Sequence, residues 1–159
     1  MKSIGKLLAT VLFTAALFGC TFDLSSNDNT IELPNTYGVN VEAVFETPSF
    51  ILNHNVTFSE ISIAYKVRKN DAFAANVKIY VSADQYADNI QLPGDEDVIN
   101  VMLGVNESEK SGVATSPLLV DILNAKQQYF VIGAQNLSVS PMSSVFIDLD
   151  VRYKGTYSL

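Results

Sequence analysis

Val145, Ile147, Leu149, Val151 and Tyr153 stand at every second position, interleaved with Phe146, Asp148, Asp150, Arg152 and Lys154. Successive side chains of a strand point to opposite faces, so this run predicts one strand with a dry face and a largely polar one. A helix would scatter the same residues around its circumference. Ile61, Ile63, Tyr65 and Val67 alternate in the same way with Ser62, Lys66 and Arg68, and Val77, Ile79 and Val81 repeat the pattern. Shorter apolar runs predict further strands at 39–46, 50–52, 97–105, 118–123 and 128–135. Asn, Asp, Gly and Pro separate them. Seven or eight short strands with such turns predict an all-β, antiparallel sandwich. Ser116-Pro117 could also open a helix, with Ser as cap and Pro as first residue, but a strand at 118–123 is the preferred reading.

A chain of 159 residues with 48% hydrophobic residues is long enough for one packed domain and too apolar for wholesale disorder. Its net charge of −7 repels phosphate backbones, which argues against nucleic-acid binding. One Cys excludes an internal disulfide framework, and one His excludes a histidine-rich metal site.

Residues 1–20 read MKSIGKLLATVLFTAALFGC. Lys2 and Lys6 precede an uncharged run at 7–18, about 18 Å long as a helix against the ~30 Å of a bilayer core. That is the length of a signal-peptide hydrophobic segment rather than a membrane span. Its end, Leu17-Phe18-Gly19-Cys20, resembles the lipobox of bacterial lipoproteins, with Phe18 bulkier than the usual residue there. The resemblance implies cleavage after Gly19, lipidation of Cys20 and attachment to a membrane through that lipid. Thr21 follows Cys20 where an Asp would resemble an inner-membrane retention signal, so an outer-membrane or surface location in a bacterial envelope is expected. The polar segment TFDLSSNDNTIELPNT at 21–36 suits a flexible tether. The expected organisation is a signal peptide over 1–19, an acylated Cys and tether over 20–36, and a β-sandwich over 37–159.

Leu123 and Tyr129 enclose Asn-Ala-Lys-Gln-Gln and are followed by Phe130 and Val131. This spacing resembles the corner between two strands of fibronectin type III and immunoglobulin-like domains, where a Leu closes one strand and a Tyr opens the next. The resemblance implies an immunoglobulin-like sandwich in which the Tyr129 ring is buried and its hydroxyl bonds upstream backbone. The usual Pro-Gly turn, core Trp and paired Cys of those domains are missing.

Little in the chain suggests chemistry. His54, between Asn53 and Asn55, reads as a turn residue, with no nucleophile elbow to serve. Asp148 and Asp150 share a strand face, as paired carboxylates would, but Arg152 and Lys154 continue that face and imply a charge-balanced wet surface. Asp84, Asp88, Asp95 and Asp97 crowd one connection and could offer oxygens to calcium, although the periodic spacing of a calcium loop is missing and a solvated acidic loop is the plainer reading. Lys66, Arg68 and Lys69 read as a solvated strand face. The expected function is that of a noncatalytic cell-envelope lipoprotein, without cofactor, presenting a β-sandwich to another envelope protein for interaction, adhesion or assembly. The alternative is a ligand- or polysaccharide-binding lipoprotein.

Overall fold

The computed structural model describes residues 14–15, 20–138 and 144–158. The strands are β1 (Thr14–Ala15), β2 (Cys20–Leu33), β3 (Asn40–Glu46), β4 (Asn55–Lys69), β5 (Ala75–Ser82), β6 (Glu96–Leu103), β7 (Glu109–Thr115), β8 (Tyr129–Asn136) and β9 (Val145–Ser158). Two short helices interrupt them, α1 (Ser49–Asn53) and α2 (Pro117–Asn124). One sheet runs β1-β2-β9-β4-β7 and the other β3-β8-β5-β6, with every neighbouring pair antiparallel.

The strongest alternations form the centre of the first sheet. β9 lies between β2 and β4, with Ile63 opposite Val151 and Val67 opposite Ile147. Ile61, Ile63, Val67, Val145, Ile147, Leu149, Val151 and Tyr153 are all buried, as their shared parity requires. From the second sheet, Val77, Ile79, Val81, Phe130, Ile132 and Ala134 complete the core. Phe45 and Phe130 stack across β3 and β8 with ring centroids 5.3 Å apart.

The all-β sandwich expectation holds, but the immunoglobulin-like order does not. Immunoglobulin sheets join strands A-B-E-D and C-F-G. Here, apart from the two-residue β1, the eight longer strands pair as first-eighth-third-sixth and second-seventh-fourth-fifth. Each sheet therefore interleaves early and late strands, which is the double Greek key of a jelly roll.

Three local readings also change. Segment 118–123 is the helix α2 rather than a strand: Ser116 Oγ accepts from Leu119 N at 3.1 Å and Pro117 occupies the first turn. Burial of Leu119, Ile122 and Leu123 on one helical side outweighs the short strand-like run. Segment 50–52 lies in α1. The expected tether from Cys20 is β2 as far as Leu33, because β9 offers a continuous ladder that backbone groups can join whatever their side chains. Its register slips between Ser26 and Asn29, and beyond the slip Ile31 and Leu33 turn inward and are buried. Of the expected signal peptide only Thr14–Ala15 is described, as β1 opposite Cys20 and Thr21; the rest, Gly19 included, lies outside the described residues.

Candidate functional site

Each sheet has an outer face, and the two differ. On the β2-β9-β4-β7 sheet the outward residues of β9, β4 and β7 make ion pairs, between strands and, for Arg152 with Asp150, along β9. Arg68 Nε and Nη2 each donate to Asp148 at 2.9 Å, and Thr30 Oγ1 donates to the same carboxylate at 2.9 Å. These donors hold the Asp148 carboxyl below the usual range, led by the bond from Arg68. Lys66 pairs with Glu109 at 2.7 Å, Arg152 with Asp150 at 3.3 Å and Lys154 with Glu60 at 3.6 Å. Between them Ala64, Ser111 and Gly112 floor a shallow groove of about 440 Å³. Gly112 is required beneath it, because a Cβ there would come within 2.4 Å of the Tyr65 hydroxyl. Asp148 and Asp150 each face a cation, so the arrangement is a charge-balanced surface and not an acid–base pair.

On the β3-β8-β5-β6 sheet the 83–95 connection folds over the outer face. Tyr80 points outward from β5, yet it is fully buried. Its ring lies over Gly133 of β8, where a Cβ would meet Tyr80 Cζ at 2.1 Å. The Tyr80 hydroxyl donates to Glu42 Oε1 at 2.6 Å, and burial, then Glu42, pushes its pKa far up. The other Glu42 oxygen accepts from Asp88 N at 3.0 Å and Asn89 N at 2.9 Å. Asn89 adopts φ of +59°, which Asn tolerates better than most residues, and its Oδ1 accepts from Glu42 N at 2.9 Å. One carboxylate and one left-handed Asn thus clasp the connection to the edge strand β3.

The four aspartates considered for calcium lie in or beside this connection and are engaged locally. Asp84, Asp88 and Asp95 accept from Tyr86 N, Ile90 N and Leu92 N at 3.1, 3.1 and 2.7 Å. Asp97 accepts from Gln91 and lies 3.4 Å from Lys78 Nζ. They shape turns, as Asx side chains do. Among the described residues no three His, Cys, Asp or Glu side chains gather as metal ligands.

The other sequence candidates serve the fold. His54 Nδ1 sits 2.9 Å from the Phe50 carbonyl, and its ring stacks on Phe50. Leu123 is buried at the end of α2 and Tyr129 opens β8 half-buried, so a helix and not a strand precedes the tyrosine and no corner between strands forms. Cys20 starts β2 opposite Tyr157. Two tethers escaped the sequence reading. Lys126 Nζ donates to the carbonyls of Ile51, His54 and Val56 at 2.9–3.1 Å, and desolvation lowers its pKa. Glu96 accepts from Ser116 Oγ and from Leu118 N, placing a carboxylate at the start of α2. The Ser-Pro pair signalled the cap; nothing in the sequence signalled Glu96, 20 residues upstream.

No family model matches the chain, and no curated protein matches it in sequence. Solved structures do. One of sacbrood virus of honeybee is similar over 99% of this chain and 81% of its own, at 17% identity and a TM-score of 0.50. Desmodium yellow mottle tymovirus matches over 100% of this chain and 93% of its own at 11% identity and a TM-score of 0.37. The decameric BFDV capsid protein matches over 87% and 99% at 4% identity and 0.39. The first of these likenesses is to the fold. The likeness to the sacbrood virus structure overturns the expected envelope function: the bacterial-envelope location, the membrane held through Cys20 and the envelope-protein partner are withdrawn.

Proposed function

We propose that this chain is a noncatalytic structural module that works by associating with further copies of itself, as a subunit of a protein shell does. The observation that carries the reading is the jelly-roll pairing, β2-β9-β4-β7 against β3-β8-β5-β6, together with a likeness of fold over nearly the whole chain to a virus structure. The outward groups support it. Asp148, Asp150 and Glu109 are committed to cations, and Glu42 to Tyr80 and two backbone amides, which suits a surface that packs rather than one that reacts. Tyr86, Ile90, Leu92, Val113 and Met102 stand exposed as apolar contact points. Sedimentation velocity and electron microscopy of the full chain over a wide concentration range test the reading. Concentration-dependent assemblies are expected, and a monomer at every concentration overturns it.

A further inference from the structure

The edges of the two sheets are not finished alike. At the β3 edge the Glu42 amide is capped by Asn89, and at the β6 edge the Met102 carbonyl receives Lys110 Nζ at 3.3 Å. The β2 edge carries the two-residue β1 opposite Cys20 and Thr21 and is broken by a register shift between Ser26 and Asn29. β7 is likewise an edge, bonded to β4 on one side only. Ser116 N donates to Ile61 O and Lys69 N to Ser108 O, in the register of the β4–β7 ladder. Antiparallel ladders alternate, so even-numbered residues of β7 face β4 and the amides and carbonyls of Glu109, Ser111, Val113 and Thr115 face outward. Among the described residues nothing hydrogen-bonds to those outward backbone groups. β7 has no Pro, no left-handed residue and no register shift to blunt the edge.

We propose that β7 is the strand through which two copies of this chain join, antiparallel about a two-fold axis at Gly112, to make one continuous sheet. The inference rests on the self-association reading and names its surface. The two-fold register sets Ser111 opposite Val113 of the second copy and Glu109 opposite its Thr115. All four outward-facing residues of each strand then find partners. No like charges meet: Glu109 is the only charged residue among the four, and Lys66 neutralises it at 2.7 Å. Val113 is 56% exposed, and its counterpart in the second copy would be its diagonal neighbour, so each covers the other. Ser111 and Gly112 keep the approach free of bulk. The interface is isologous, which closes at two copies and leaves the other surfaces for higher assembly.

Sedimentation equilibrium and amide hydrogen exchange of the full chain, with Ser111→Pro and Val113→Lys, provide the test. Proline at 111 removes an outward donor and leaves the β4 ladder whole, so the fold should survive. The expected result is a dimer in which the Ser111 and Val113 amides gain protection as concentration rises, with dimerisation weakened roughly tenfold or more by Ser111→Pro. Val113→Lys, which sets two cations side by side at the axis, should weaken it as well and serves if the proline variant misfolds. A dimer unchanged by a folded variant, with unprotected β7 amides, overturns the β7 assignment and leaves self-association standing. A wild-type monomer at all concentrations overturns both.

Discussion

On the outer face of the β3-β8-β5-β6 sheet Tyr80 is wholly dry and hydrogen-bonded to Glu42, whereas on the outer face of the other sheet Arg68 and Asp148 pair in partial contact with water. Both faces are built by alternating strands, and both present carboxylates. The first is covered because the 83–95 connection is long enough to lie back on the sheet and has Asn89 to clasp it. Among the described residues no connection lies over the second, so its charges pair in a high-dielectric medium. Position decides the strength of a polar contact: a buried donor that loses its acceptor cannot turn to water, while an exposed ion pair can.

The largest effects should therefore come from the covered face. Tyr80→Ala empties a fully buried aromatic site and should cost about 3–5 kcal/mol by chemical denaturation. Gly133→Ala puts a methyl group where the Tyr80 ring already lies and should cost about 1–3 kcal/mol through overpacking. Wild-type stability in either variant would mean that the connection and Tyr80 move aside together, and the contrast between the faces would fail.

Glu42→Gln comes next. It keeps the shape but replaces a carboxylate that accepts one hydroxyl and two amide bonds. A loss of about 1–2 kcal/mol is expected, with faster hydrogen exchange confined to 83–95. The same clasp has a pH signature. The Tyr80 pKa is raised by burial and by Glu42, so its contribution is fully present below the ordinary tyrosine value near ~10 and is lost as pH climbs above it. Tyr80→Phe should flatten that alkaline decline. An unchanged decline would assign it to other groups.

What the sequence disclosed follows the same division. The strands with one dry face, β4, β5 and β9, were legible because burial of alternate residues leaves a period of two in the chain. β7, reading EKSGVAT, was not: an edge strand over Tyr65 needs Gly112 and carries little apolar patterning. β2 was masked by its polar residues, since the ladder with β9 leaves no compositional trace. α2 carried both a strand-like run and a proper cap, and the cap was the better witness because it satisfies backbone donors that a short apolar run leaves undecided. The acidic connection was noticed for its carboxylates, but their use as turn formers depends on which amides lie beside them. The clasp of Glu42 by Asn89 joins residues 47 apart, and no local pattern announces it.

The smallest effect should come from the open face, at Asp148. Its side chain is 37% exposed and Arg68 is 41% exposed, so solvent screens the pair despite two bonds of 2.9 Å. Asp148→Asn should cost no more than about 1 kcal/mol, and 0.5 M salt should shrink the difference further. Because the folded pKa lies below the ordinary carboxylate value, the pair's contribution is present above about pH 4 and fades as pH falls through the lowered value. Wild type and Asp148→Asn should therefore converge in stability in acid and separate slightly at neutral pH. Urea titrations at both pH values, with and without salt, measure this. A loss as large as that of Tyr80→Ala, insensitive to salt, would show that the open face is desolvated in solution. It would then be covered by something outside this chain, and a second copy placed along β7, next to Lys66 and Arg68, would be the first candidate.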